Sequence, residues 1–374
     1  MGLHIYRKLV SFDNDWNDDR CLDTTQYFVD NNDKAGKRGC AVEHTKKTCF
    51  TTMNWKYNYV IAGSGGFYEV AYYDLMQMPN VKYYKGYTDG IMGRLRQMLC
   101  RVCFNLRVNK YISTPFGTLV FPWLFPATFE EDKPLCYIFF GNQFAVINTG
   151  YVEYLRKRRP DAKFVLYMQD IVSSLHYYDI ENYKRRFDLV LSYDKGDCAR
   201  YGLTYYPTPY SYYPVNNPKD ENVDVFFCGA AKTRYKTILN VYQKLVAQGL
   251  KCKFFITGVP KDEQISGDGL IYDQRISYIE NLEYVVSSKC ILEIMQENAD
   301  GFTPRLWEAI MYDKHLLTNN KRIIDSIYWD ALGIHLVDLN ADYTYIKDQS
   351  ITYSKELKEN KSPNQMLAVI ESLL

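Results

Sequence analysis

The chain predicts an α/β protein of two doubly wound domains, and three observations predict it. Short apolar runs alternate with helix-forming segments through most of the sequence, the pattern of strands covered by helices on both faces. The alternation occurs twice, interrupted by Tyr205-Tyr206-Pro207-Thr208-Pro209-Tyr210-Ser211-Tyr212-Tyr213-Pro214-Val215-Asn216-Asn217-Pro218, whose four prolines exclude a helix or a central strand. The length, 374 residues, exceeds what one hydrophobic core comfortably organises. The boundary is expected near 214, giving one α/β domain over 1–214 and a second over 215–374.

Taken in order, residues 11–50 are rich in Asp and Asn with little periodicity and read as loops with a hairpin. Residues 57–62 read as a strand, Gly63-Ser64-Gly65-Gly66 as its turn, and 67–77 as a helix. That turn lacks the G-x-G-x-x-G spacing of a dinucleotide site. It reads instead as a place where backbone approaches a sugar or pyrophosphate across a cleft, with Gly65 and Gly66 as cleft residues. Strands are expected at 136–147, 163–169 and 188–192, with a helix at 151–159. After the proline-rich segment come a strand at 223–228, a turn at 229–231, a helix at 232–248 and a strand at 251–257. A short strand at 270–272, a helix at 277–288 and strands at 290–295 and 314–319 follow, the last two separated by a helix at 304–312. The terminal helix, 362–374, is expected to pack back across the two domains.

Composition narrows the function classes. The 45 basic and 44 acidic residues nearly balance, so no global field points to nucleic acid. The 35 tyrosines suit sugar clefts and interfaces alike, and their even spread makes them a habit of composition rather than a site. The ten cysteines show no repeated spacing; the lone C-x-x-C, Cys100 to Cys103, lies in a helical run without a second pair. They read as reduced thiols. With neither a leader-like apolar core at the start nor an apolar run of about 18 residues, a cytoplasmic location is expected. Asp13-Asn14-Asp15 matches D-x-D by chance among many Asp and Asn residues, and no resident metal or cofactor is expected.

The most informative segment is Asp300-Gly301-Phe302-Thr303-Pro304-Arg305-Leu306-Trp307-Glu308-Ala309-Ile310. Two acids stand eight residues apart between an apolar strand and a helix that carries proline in its first turn. Free N–H groups at such a helix start suit phosphate oxygens. Glu308, one turn in, is placed to accept from ribose hydroxyls, and Asp300, on the loop, to face a sugar. The constellation suits a nucleotide-sugar; an ordinary βαβ turn with solvated acids is the plain alternative.

The same residues resemble the E-x7-E motif of retaining GT-B glycosyltransferases, with Asp300 in the place of the first glutamate. The wider segment, 294–320, looks like bacterial glycosyltransferases of capsule and lipopolysaccharide synthesis. The resemblance implies a GT-B-like fold of two Rossmann-type domains facing a central cleft. It also implies metal-independent transfer from a nucleotide-sugar donor to a glycan or lipid-linked glycan acceptor. A nucleotide-sugar epimerase of the same fold and a non-catalytic carbohydrate-binding scaffold are the rival readings.

Candidate roles follow from the chemistry of diphosphate departure, sugar orientation and acceptor deprotonation. Gly229 ends a strand, and Lys232, Arg234 and Lys236 crowd the next helix start; the resemblance favours Arg234 for the diphosphate. Arg305 offers a bidentate guanidinium. Thr303 reads as either a cap or a phosphate ligand. Gln296, Gly301 and Phe302 complete the donor set. Asp170, at a strand end, is the candidate base or else an N-cap; His176, in the same loop region, is the second candidate or a structural histidine.

The segment 91–125 has a separate reading. Ile91, Met92, Leu95, Met98, Leu99, Val102 and Leu106 recur at helical spacing beside Arg94, Arg96, Arg101, Arg107 and Lys110. The stripe offers peripheral contact with an anionic inner membrane. The alternative is a core helix with solvated arginines.

Overall fold

The computed structural model describes residues 54–86, 93–104, 117–172, 179–219, 222–296, 301–329 and 331–374. Two six-stranded, wholly parallel sheets organise them. The first holds β1 (Asn58–Ala62), β2 (Val81–Tyr84), β3 (Leu135–Phe140), β4 (Lys163–Met168), β5 (Leu189–Ser192) and β6 (Thr204–Tyr205), in the order β2-β1-β3-β4-β5-β6. The second holds β7 (Val223–Ala230), β8 (Cys252–Thr257), β9 (Leu270–Tyr272), β10 (Ser288–Glu293), β11 (His315–Thr318) and β12 (Ile334–Leu336), in the order β12-β11-β10-β7-β8-β9. This is the doubly wound α/β architecture that the alternation predicts.

The apolar runs explain the central strands. Every residue of β1 and β3 is buried, because helices cover both faces of a parallel sheet. Each sheet reverses its winding once, between β1 and β3 in the first and between β7 and β10 in the second. Ligands of open α/β sheets bind outside the carboxyl ends of the strands at such reversals. The glycine turn at 63–66 follows β1, which flanks one reversal; at the other, β7 runs on through Gly229 to Ala230, where the sequence predicts a turn over 229–231.

Some boundaries differ from expectation. The run 136–147 is strand only to Phe140; Gly141–Gln143 forms a 3-10 turn and Phe144–Ile147 a helix, since an apolar run cannot reveal where extended backbone ends. The helix expected at 67–77 is two short ones, Phe67–Ala71 and Tyr73–Met76. The helix expected from 232 begins with a 3-10 turn, Lys232–Arg234, before the α-helix Tyr235–Ala247. The helix within 91–110 spans Arg94–Cys103 among the described residues. Residues 11–50 lie outside the described residues.

The carboxyl ends of the two sheets meet. Phe67, following the first glycine turn, lies edge-to-face on Tyr278 at the start of the helix Tyr278–Ser287, with ring centroids 5.3 Å apart. The buried Tyr210, in the proline-rich crossing, shares a 2.9 Å hydroxyl contact with Tyr278 and donates its N–H to the Lys361 carbonyl. The last helix, Pro363–Leu373, lies against the first unit: Glu371 accepts from the Lys56 N–H at 2.7 Å and from the Tyr59 hydroxyl at 2.8 Å. At its start, Ser362 donates to Asp74 at 3.1 Å.

Tyr59 is fully buried, so losing its acceptor leaves a desolvated hydroxyl at a cost of about 1–3 kcal/mol. Glu371→Ala is therefore expected to lower the thermal midpoint by a few degrees. Tyr59→Phe introduced into that background should cost much less than in the wild-type chain. Equal costs in both backgrounds would show that the tether between the last helix and the first sheet contributes nothing.

Candidate active site

Gly229, the seventh residue of β7, borders the reversal of the second sheet. A Cβ placed on it would stand 3.0 Å from the Arg305 Nη2 and 3.2 Å from the Arg234 Nη2, so two guanidinium tips converge on the same point. Each is held from behind by backbone carbonyls. Arg305 Nη2 donates to the Cys228 carbonyl, and its guanidinium carbon lies 5.7 Å from the Phe227 ring. Arg234 donates through Nε to the Ala230 carbonyl at 3.0 Å and through Nη1 to the Ile294 carbonyl. Arg234 thereby bridges β7 to the segment after β10, across the reversal. Two fixed cations over a glycine, whose missing side chain leaves room for their tips, make an anion-binding geometry.

Lys232 takes a positive φ of 44°, uncommon for a residue with a side chain, and is exposed, as is Lys236. The cluster of basic residues expected at this helix start divides accordingly. Arg234 turns inward to the strand ends, and the two lysines lie outside.

The helix Pro304–Met311 sets Arg305 and Glu308. Thr303 caps it, accepting from the Arg305 N–H at 3.3 Å. The Thr303 hydroxyl donates to Glu293, so a phosphate ligand role would require it to leave that carboxylate. Glu293 is 2% exposed and also accepts from Thr318, its register partner on β11. Asn320 donates to the Gly301 carbonyl at 3.1 Å, and the Met295 N–H donates to Asn319 at 2.6 Å. Glu293 is a structural centre that the sequence reading passed over. The only signal was an acid inside the apolar run Ile291-Leu292-Glu293-Ile294.

Glu308 is 3% exposed. Its Oε1 accepts from the Tyr278 hydroxyl at 2.6 Å and from Asn281 Nδ2 at 3.2 Å. Burial raises its pKa, opposed by the Tyr278 hydrogen bond and by the Arg305 charge. A ribose hydroxyl would therefore have to join or replace Tyr278 on this carboxylate. Neither Tyr278 nor Asn281 had a sequence signal; one tyrosine among 35 does not stand out.

The remaining candidates fall as follows. Gln296 is exposed beyond β10, and Gly301 is exposed at the loop end. The Phe302 ring packs edge-on against Trp307 and Tyr328, at centroid distances of 6.2 Å and 5.9 Å, so its side chain serves an aromatic cluster. In the first unit, Gly66 takes φ 63° at the start of its helix, a conformation that suits glycine, and Gly65 is half-buried beside it. The turn is pinned by Gln143, which donates to the Gly63 carbonyl at 2.5 Å, and by Tyr83, which donates to the Ser64 carbonyl at 2.9 Å.

Asp170 is half-buried beyond β4, close enough to Tyr68 and Tyr193 that its charge helps raise both phenols. Two buried amide oxygens, on Asn142 and Gln169, flank the same edge without a hydrogen-bond partner. Asp300 and His176 lie outside the described residues, so the acid-x7-acid pair is represented here by Glu308. No group of three metal-ligating side chains stands together among the described residues.

The raised pKa of Glu308 has a signed consequence. The folded chain holds this proton more tightly than the unfolded one, so the contribution to stability is full below the ordinary carboxyl value of 4.5 and is lost as pH rises through the folded value. Glu308→Gln removes the dependence. The melting temperature of the variant minus that of the wild type should increase from pH 4 toward neutrality; a constant or falling difference would contradict the assignment.

No protein-family model matches the sequence, and no curated protein matches it. Solved structures with a similar course of the chain include AviGT4, a glycosyltransferase involved in avilamycin A biosynthesis. It is 10% identical, with a TM-score of 0.44 over 83% of this chain and 90% of that one. The UDP-GlcNAc 2-epimerase from Methanocaldococcus jannaschii is 11% identical, with a TM-score of 0.42 over 81% and 89%. TarM is 11% identical, with a TM-score of 0.40 over 64% of this chain and 54% of that one, so the chain spans about half of TarM. At these scores the likeness assigns no residue a role, and the fold rests on the two parallel sheets themselves.

Proposed function

We propose that the protein is a glycosyltransferase that moves a sugar from a nucleotide-sugar to a hydroxyl of a glycan or lipid-linked glycan. The observation that carries this reading is the convergence of Arg234 and Arg305 on Gly229 at the reversal of the second sheet. A departing nucleoside diphosphate concentrates negative charge, and two preorganised guanidiniums stabilise it without reorganising at the moment of reaction. The proposal gives this task to the arginines rather than to a metal ion.

In the same reading, the backbone around Gly301 and the exposed Gln296 border the donor sugar, whose hydroxyls Asp300 would face. Glu308 would take the ribose once a ligand hydroxyl competes with Tyr278. Across the seam, Asp170 would accept the proton of the acceptor hydroxyl, with His176 as the second candidate base and the turn at Gly65 and Gly66 shaping the cleft. The resemblance of the wider segment 294–320 supports a cell-surface polysaccharide or lipopolysaccharide intermediate as the acceptor.

Melting the purified chain with UDP, GDP, CDP, dTDP and their sugars, with and without EDTA, tests the donor site. One nucleotide should raise the melting temperature by mass action, with no effect of EDTA. Arg234→Gln and Arg305→Gln should each weaken that nucleotide by about 1.5–3 kcal/mol, as expected for hydrogen bonds to charged groups. Gly229→Ala, whose new methyl would crowd both guanidiniums, should weaken it as well. No shift with any nucleotide, or a shift indifferent to both arginines, would overturn the reading. Turnover of donor without acceptor would indicate an epimerase instead, and binding without turnover a scaffold.

A further inference from the structure

The helix Arg94–Cys103 is turned opposite to a core helix. Its inward residues are Cys100, Cys103 and Phe104, all buried, with the Cys100 thiol pushed up to about 11 mainly by burial. The larger apolar side chains face out: Leu95 is 66% exposed, Met98 55%, Leu99 39% and Val102 49%. They stand at i, i+3, i+4 and i+7, one continuous stripe along about 10 Å of helix. Leu119, on the neighbouring turn Gly117–Val120, is 64% exposed. An outward stripe of this kind marks an interaction surface rather than a scatter of single residues.

Charge identifies the occupant. At 100° per residue, exposed Arg94 and Arg101 border one edge of the stripe, whereas exposed Arg96 lies on the side of Cys100 and Cys103, its guanidinium 5.0 Å from the Trp123 ring. The surrounding sequence, 90–129, contains no Asp or Glu, although the chain has 44 acids; it contains Arg94, Arg96, Arg101, Arg107 and Lys110. A second copy of the same face would bring arginine against arginine. A lipid surface instead receives the stripe among acyl chains while the flanking arginines reach outward to phosphates.

We propose that this face docks on a bilayer containing anionic lipid, with the helix lying in the interface plane. No helix among the described residues is long and apolar enough to cross a membrane. The inference does not depend on the glycosyltransferase reading, because vesicle binding requires neither nucleotide nor turnover.

The test is co-sedimentation of the full chain with phosphatidylcholine vesicles, with and without phosphatidylglycerol. Binding should appear with phosphatidylglycerol and fall as salt is raised. Arg94→Gln with Arg101→Gln should weaken it about fivefold per arginine. Leu95→Gln with Met98→Gln and Val102→Gln should abolish it. All these positions are exposed, so the melting temperature of each variant should match the wild type and certify its fold. Three results would each overturn the proposal: no binding to anionic vesicles, equal binding by the apolar-stripe variant, or concentration-dependent self-association lost in that variant, which would assign the face to a second copy.

Discussion

The buried carboxylate of Glu308 is the constraint around which the two halves are arranged. Removing a charge from water is costly unless donors replace the water, and here Tyr278 and Asn281 do so, with the Arg305 charge nearby. Tyr278 in turn shares its hydroxyl with Tyr210 from the crossing segment and receives the edge of Phe67 from the first unit. One carboxylate on the helix of the sequence motif is thus connected, through a single tyrosine, to both the crossing and the first sheet. The orientation of that helix, and with it the direction of Arg305, follows from satisfying this group.

Around this centre the second sheet supplies a rigid support. Glu293 draws the hydroxyls of Thr303 and Thr318 toward one buried point, fixing the cap of the motif helix to the end of β11. Arg234 and Arg305 each spend hydrogen bonds on strand-end carbonyls. Their remaining faces are therefore held in place before any ligand arrives, which is how a site lowers the entropic cost of binding. The first unit is built differently, around aromatic contacts: Tyr72 lies 4.8 Å from Phe140 and 6.0 Å from Tyr83, and Tyr68 is 5.6 Å from Phe140.

Lys361 illustrates the cost of closing the seam. Its ammonium lies 4.9 Å from the centre of the Trp307 ring, and burial together with Lys195 lowers its pKa to about 8. The aromatic face compensates part of the lost hydration. The same Trp307 and Tyr328 receive Phe302, so the loop ahead of the motif helix and the approach to the last helix share one aromatic cluster.

Much of the fold was legible in the sequence, because strands buried on both faces must be continuously apolar and a doubly wound order must alternate them with helices. The runs that became β3, β4, β7, β8 and β10 carried that signal; β2 and β12, short and half-exposed at the sheet edges, did not. Local chemistry also identified Pro304 and Thr303 as a helix start and the glycine turn at 63–66 as a strand end. Tertiary structure alone decided which way side chains face. The helix at 94–103 shows two stripes at helical spacing, and only packing selected the smaller, Cys100 with Cys103, as the buried one. The pairing of Arg234 with Arg305, of Glu293 with Thr318 and of Glu308 with Tyr278 joins residues far apart in the chain. Sequence determined the elements because propensity and periodicity act over a few residues; the site required the strand order, because it is made where separate strands end side by side.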